Sequence, residues 1–241
     1  MIRAWILLLA LALAGCRDGA LDRLAAGEAG RVAEVTSGDS LTLDSGLEVR
    51  LAGVEAPKGE RPYADPARTA LAKLVDGRTV QLLYGGVRRD RYGRALAHVR
   101  LKHGGAWVEK ALLRDGAVRE RTWADNRALA APMLEAEAYA RNRKLGLWAL
   151  PAYQVLLPRE AAYADGFQIV EGRVRRVEDA DLLFDAGLTA RTDEKAVPDF
   201  KTVARAPEQL RGRLVRIRGP IRDGVLKLDH PEQIELLKEK D

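Results

Sequence analysis

Cysteine is almost missing from this chain. One occurs in 241 residues, which excludes an intramolecular disulfide framework and a cysteine-built zinc site. Histidine is scarce too: His98, His103 and His230 lie far apart, with neither H-x-x-x-H nor H-E-x-x-H spacing. No G-x-x-x-x-G-K-[ST] and no G-x-G-x-x-G occurs, so ATP and dinucleotide chemistry have no support. Aromatic residues make up only 5%. Long apolar runs are absent as well. The 13 residues between Arg3 and Arg17 fall short of the ~20 that span a bilayer.

What is present is a core-forming composition, 47% hydrophobic, with 31% charged residues of mixed sign. That is enough for one large domain or two small ones, and it argues against a disordered polyampholyte. The net charge of +5 names no partner by itself, but its distribution does. Residues 31–149 carry 21 Lys/Arg against 15 Asp/Glu, while residues 165–241 carry 15 against 16. A polyanion is therefore to be sought in the first half.

The N-terminus reads as a signal peptide: Met1-Ile2-Arg3 is a short basic start, followed by an almost wholly apolar stretch from Ala4 to Ala14. Leu13-Ala14-Gly15-Cys16 resembles a bacterial lipobox, with the only cysteine where such a box needs it. That resemblance implies cleavage before Cys16 and diacylglycerol on its thiol, giving a stable anchor when several acyl chains are attached. The expectation is a signal peptide over 1–15, a lipid-anchored Ala/Gly-rich tether over 16–30, and a membrane-anchored protein outside the cytoplasm, facing the periplasm or on the cell surface.

Beyond Arg31 the pattern turns to short strands over 32–35, 41–43 and 47–54. They are broken by Ser37-Gly38-Asp39 and by Asp44-Ser45-Gly46, the second a hairpin signal. Asp65-Pro66 opens a helix over 66–75 that Gly77 stops. Strands over 79–84 and 95–101 follow, then helices over 107–114 and 130–143, where Pro132 is tolerated in the first turn. The expected fold class is mainly β with packed helices: an OB-fold-like five-stranded barrel with three helices over 31–149. A linker over 150–164 and a second small OB-like β domain over 165–241 complete it. There, strands are expected over 168–177, 182–184, 214–218 and 225–228, a terminal helix or tail over 231–239, and a polar, poorly periodic middle over 185–206. In Leu214–Arg218, Val215 and Ile217 should face inward, and Arg216 and Arg218 outward.

Three segments, in order, resemble the staphylococcal-nuclease-like (thermonuclease) family. Ser37-Gly38-Asp39-Ser40-Leu41 resembles its D-G-D-T-[VL] turn. Arg50-Leu51-Ala52-Gly53-Val54-Glu55-Ala56-Pro57 resembles R-L-x-G-[IV]-D-[AT]-P, and Asp90-Arg91-Tyr92-Gly93-Arg94 resembles D-[KR]-Y-G-R. Trp107 to Gly116 and Lys144-Leu145-Gly146-Leu147-Trp148 support the match, which covers about half the chain. The resemblance implies a phosphodiesterase or endonuclease acting on DNA or RNA with one Ca²⁺ ion. Asp39 and Glu55 fall at the metal positions, with the Ala56 carbonyl as a further ligand. Arg50 and Arg94 fall at the phosphate clamp, and Arg91 and Tyr92 at nucleotide-holding positions. The chemistry is consistent: hydrolysis needs a dication to polarise the phosphoryl oxygen and fixed positive charge at the transition state. Hard carboxylates suit Ca²⁺ and planar guanidinium groups suit phosphate.

Two departures cut against catalysis. Where the family carries A-P-E, with the Glu acting on the attacking water, this chain has Ala56-Pro57-Lys58. A protonated lysine cannot accept that proton, so Glu60, two residues on, is the substitute base to look for. Where the family places paired tyrosines, the chain has Arg119-Glu120-Arg121-Thr122-Trp123, leaving Trp123 to stack on a base. The expected partners are nucleic acid and, through Cys16, a membrane; no protein partner is implied. The alternative to a nuclease is a catalytically impaired nucleic-acid- or protein-binding module. The second domain resembles the C-terminal OB-like extension of some bacterial members, through Glu171-Gly172-Arg173-Val174, the stretch 210–219 and His230-Pro231-Glu232-Gln233-Ile234. Its Arg211, Arg213, Arg216 and Arg218 could track a phosphate backbone or form a solvated strand edge. The negative charge of that domain favours the edge.

Overall fold

A computed structural model describes residues 19–202 and 206–238; the signal peptide and Cys16 lie outside the described residues. The first unit is built on a meander. Strand β1 (Ala25–Ser37) turns through Gly38-Asp39 into β2 (Ser40–Leu43), which turns through Asp44–Gly46 into β3 (Glu48–Leu51). Gly46, at φ 81°, supplies the left-handed residue of that second turn. The apolar run 47–54 does not stay one strand: Gly53 (φ 70°) turns the chain, and Val54–Glu55 leaves as β4. Helix α1 (Ala64–Val75) follows, burying Ala67, Leu71 and Val75, a stripe at four-residue spacing. Strands β5 (Thr79–Tyr84) and β6 (Ala95–Leu101) then close a barrel in the order β1-β2-β3-β6-β5, with β3 and β6 parallel. Helix α2 (Val108–Arg114), strand β7 (Arg119–Glu120) and helix α3 (Ala130–Asn142) complete the unit. β7 pairs with β4, Val54 opposite Glu120 and Glu55 opposite Arg119.

The tether expected up to residue 30 is instead barrel from Ala25 onward. Ala25, Ala26, Ala29 and Gly30 pair with β5, and Leu21 is buried. The small residues are what the packing needs, since a Cβ on Gly27 would lie 2.2 Å from the Tyr84 ring. The expected linker is likewise ordered. It holds a 3₁₀ turn at Pro151–Tyr153, and the buried Tyr153 hydroxyl donates to the Pro62 carbonyl at 2.6 Å.

The second unit runs α4 (Pro158–Ala161), β8 (Gly166–Arg173), β9 (Arg176–Glu178), β10 (Asp181–Leu183), β11 (Thr189–Thr192), α5 (Val197–Thr202), β12 (Leu214–Arg222), β13 (Val225–Leu228) and β14 (Ile234–Leu236). Its strands form one seven-stranded sheet in the order β14-β12-β13-β11-β10-β9, with β8 also paired to β12. The weak middle conceals β11 and α5, whose Ala190 and Phe200 are buried. The terminal segment is a 3₁₀ turn at Pro231–Gln233 followed by β14 rather than a helix, because Ile234 is drawn into the core against Ile217. Arg218, expected to face outward, is 1% exposed. Its guanidinium turns toward three carboxylates where the two units meet: Glu120, Glu137 and Glu235.

Candidate nucleic-acid interface

The β1–β2 turn puts an aspartate where no solvent reaches it. Gly38 permits this, because a Cβ there would lie 2.7 Å from Ala67 Cβ and 2.8 Å from Ala56 Cβ. Asp39 is completely buried. One carboxylate oxygen accepts from Ser37 Oγ (2.9 Å) and Ser40 Oγ (3.2 Å) and meets Lys58 Nζ at 3.4 Å. The other accepts from the Ala56 N–H (2.8 Å) and meets Arg50 Nη2 at 3.1 Å. Burial pushes the Asp39 carboxyl up, but Arg50, the Ala56 N–H, Lys58 and Ser37 together outweigh it and hold it below the ordinary carboxylate range.

Arg50 braces this loop. Its Nη1 donates to the carbonyls of Leu51 (2.8 Å) and Asp39 (3.3 Å), and its Nη2 donates to the carbonyl of Val54 (2.7 Å) while pairing with the Asp39 carboxylate at 3.1 Å. The terminal nitrogens of the expected clamp residue are thus largely committed to the protein. Burial lowers its pKa, countered by Asp39 and Glu55.

A second loop, between β5 and β6, carries the D-[KR]-Y-G-R-like motif. Asp90 Oδ1 accepts from the N–H groups of Tyr92 (2.9 Å) and Arg94 (3.0 Å), and Oδ2 accepts from Arg94 Nε (2.8 Å). Gly93, at φ 84°, makes the tight return. The loop thereby holds Arg94 upright and pushes Tyr92 outward, 68% exposed. The Arg91 and Arg94 guanidinium groups sit 4.8 and 5.4 Å from the Tyr92 ring centre. Burial acts against Asp90 and the Arg94 contact offsets it, leaving the carboxyl below its ordinary value.

Glu55 faces a different set of partners. Pairing of β4 with β7 brings Arg119 Nη2 to 3.4 Å from Glu55 Oε2, and Arg121 Nη1 donates to Glu55 Oε1. Arg121, which the motifs did not single out, packs 5.2 Å from the half-buried Trp123 ring. The available signal was its place two residues from Arg119, since strand alternation aims both at the same face.

These pieces line one cleft of about 500 Å³. Its walls include Arg50, Lys58, Arg89, Arg91, Arg94 and Arg121, the acids Glu55, Asp90 and Asp125, and the rings of Tyr92 and Trp123. Glu60 is exposed and is not among the lining residues. The donor set does not fit the expected Ca²⁺. Asp39 is matched by Lys58 and Arg50, and Glu55 by Arg119 and Arg121. Among the described residues no group of three or more His, Cys, Asp or Glu is placed to hold a metal ion.

A small barrel with a basic, aromatic-flanked cleft at its loop ends is an OB-like plan. Comparison with known proteins makes this specific. A family model described as staphylococcal nuclease homologue matches residues 48–150. The micrococcal nuclease of Shigella flexneri is 32% identical over 134 residues, covering 52% of this chain and 76% of that protein. The thermonuclease of Staphylococcus intermedius is 28% identical, covering 51% and 77%. The staphylococcal-like nuclease CAN1 of Arabidopsis thaliana is 32% identical over 103 residues, covering 43% of this chain and only 30% of the plant protein. The chain belongs to the staphylococcal nuclease family. Its match spans less than a third of the plant relatives' length.

Proposed function

We propose that the protein engages a nucleic-acid strand through its phosphates in the cleft between the Asp39 loop and the Asp90–Arg94 loop. The observation that carries this is the convergence of six cationic side chains and two aromatic rings on one cleft of about 500 Å³. Arg94 and Arg121 present guanidinium edges to phosphate oxygens, while Tyr92 and Trp123 offer stacking faces for unpaired bases. We further propose that this takes place outside the cytoplasm, on a lipid anchor at Cys16. Membrane fractionation tests the anchor: Cys16→Ala should move the protein to the soluble fraction, and retention of the variant in the membrane would refute it.

Phosphodiester hydrolysis is a second reading, favoured by the family itself and by relatives named micrococcal nuclease and thermonuclease. Against it, Lys58 lies beside Asp39, Glu60 lies off the cleft, and Glu55 is held by two arginines. Asp39, Glu55 and Asp90 are each ion-paired, so none of these three stands free to take a proton from water. The test is a fluorescent single-stranded oligonucleotide incubated with the purified protein, with Ca²⁺ or with a chelator, read by both anisotropy and gel. Binding without cleavage, weakened in Arg94→Ala and Arg121→Ala, is the expected outcome. Ca²⁺-dependent cleavage lost in Asp39→Ala would establish the nuclease instead.

A further inference from the structure

We propose that the Lys58 ammonium group is the resident cation of this cleft, so that the protein holds phosphate without any divalent metal. The inference rests on the reading of the cleft as a nucleic-acid interface and specifies how that interface is charged.

The carboxylate charge at fixed positions in the cleft is already balanced by side chains. Asp39 and Glu55 contribute two negative charges. Arg50, Lys58, Arg119 and Arg121, all within 4 Å of one or other carboxylate, contribute four positive ones. The excess equals the charge of one Ca²⁺ ion, and side chains already supply it. A Ca²⁺ ion also needs six to eight oxygen ligands, and the Asp39 carboxylate is saturated by two hydroxyls, one N–H, a guanidinium and an ammonium. To enter, the ion would have to displace Lys58 and then sit against its charge. Lys58 is suited to replace the ion functionally. Its Nζ pairs with Asp39 Oδ1 at 3.4 Å, while the side chain is 51% exposed and lines the cleft. Its other donors remain available to a phosphate oxygen arriving from solvent. The buried Asp39 fixes the ammonium in place, and the ammonium takes over the electrostatic task of a metal. It cannot supply a metal-bound water.

The test uses the full chain and two readouts. Calorimetric titration with Ca²⁺, in the absence of nucleic acid, should show no binding by the natural protein. It should show binding by Lys58→Glu, in which a second carboxylate stands beside Asp39. Anisotropy of a labelled oligothymidylate should give the natural protein the same affinity in Ca²⁺ and in EGTA, within about twofold. Lys58→Gln should weaken binding about fivefold or more, as expected for loss of one charge-assisted phosphate contact. Because Lys58 is half exposed, both variants should keep the far-ultraviolet circular dichroism of the parent. Saturable Ca²⁺ binding by the natural protein, or a tenfold gain in oligonucleotide affinity with Ca²⁺, would overturn the proposal. If the oligonucleotide fails to bind under either condition, the nucleic-acid reading falls, and the Ca²⁺ titration of parent and Lys58→Glu still decides which cation the cleft holds.

Discussion

His98 on β6 and Glu109 on α2 are both buried, and their titrations pull stability in opposite directions. Burial drives Glu109 up to about 8 from an ordinary 4.5, against the Val99 N–H that donates to both its oxygens. Burial drives His98 down to about 3 from an ordinary 6.5. A carboxyl raised on folding stabilises the protein below its unfolded value and loses that contribution as pH climbs through 8. A histidine depressed on folding contributes above 6.5 and loses it as pH falls. The two slopes oppose each other between 4.5 and 6.5, and above 6.5 only the Glu109 slope remains, at most about 1.4 kcal/mol per pH unit. Urea unfolding should therefore show stability declining between pH 6.5 and 8, with Glu109→Gln flattening that limb; an unchanged limb in the variant would remove Glu109 as its cause. Tyr92 gives a functional counterpart. On the proposed reading its exposed ring stacks on unpaired bases, so Tyr92→Ala should weaken single-strand binding by about 1–3 kcal/mol while leaving duplex binding nearly unaffected. Equal losses on both would show that the ring merely supports Arg91 and Arg94. At this scale the motifs pointed to Asp39, Arg50 and Arg94, which the structure places at or beside the cleft, but not to the pairing that engages Asp39 with Lys58 and Arg50. They were silent on Arg121, whose partner Glu55 is 66 positions away.

Elements with strong periodicity were legible in the sequence: β5, β6 and β13 fall over the expected residues, and α1 and α3 differ at their ends by a residue or two. Elements whose pattern comes from pairing rather than hydrophobicity were not. β1 begins in Ala/Gly-rich sequence, and β11 alternates Thr-Ala-Arg-Thr around one buried alanine. β7 is the most instructive element. It is two residues long, yet alternation sends Arg119 toward Glu55 and Glu120 toward Arg218, so one short strand serves the cleft on one face and the second unit on the other. The β1–β2 turn is built with comparable economy of space. Gly38→Ala must push a methyl group against Ala56 and Ala67, and overpacking of this kind costs about 1–3 kcal/mol. Because Ala56 also holds Asp39, the same change should weaken oligonucleotide binding; a variant that loses stability but binds normally would separate the turn from the cleft.

Arg218 decides how the two units behave as one molecule. It lies 2.9 Å from Glu120 on β7, 2.9 Å from Glu137 on α3 and 2.7 Å from Glu235 on β14, with almost no exposure. Burial would lower its pKa, but the three carboxylates outweigh this and raise it, so the guanidinium stays charged throughout. The surrounding contacts also cross between the units. Arg127 reaches Asp199 (2.6 Å) and Glu232 (3.3 Å), His230 Nε2 lies 3.3 Å from Thr122 Oγ1, and Arg119 donates to the Phe167 carbonyl at 3.2 Å. A buried ion cluster contributes little net stability compared with an apolar replacement of equal shape, yet removing one partner from it costs about 3–5 kcal/mol because the others remain charged and buried. The outward-facing, phosphate-tracking role considered for Arg218 is thus replaced by a fastening one. Calorimetry should show the natural protein melting in a single transition, because neither unit can leave without exposing this cluster. Arg218→Met should melt at lower temperature and in two steps, and adding Glu120→Gln and Glu137→Gln should recover part of the loss by removing the stranded charges. Glu120 sits between Arg119 and Arg121, so the single variant should also loosen β7 and weaken oligonucleotide binding, although Arg218 itself never touches the cleft. A single unshifted transition in Arg218→Met would mean that Arg218 does not fasten the units, and that the remaining contacts, among them Arg127 with Asp199 and Glu232 and Arg119 with the Phe167 carbonyl, join them without it.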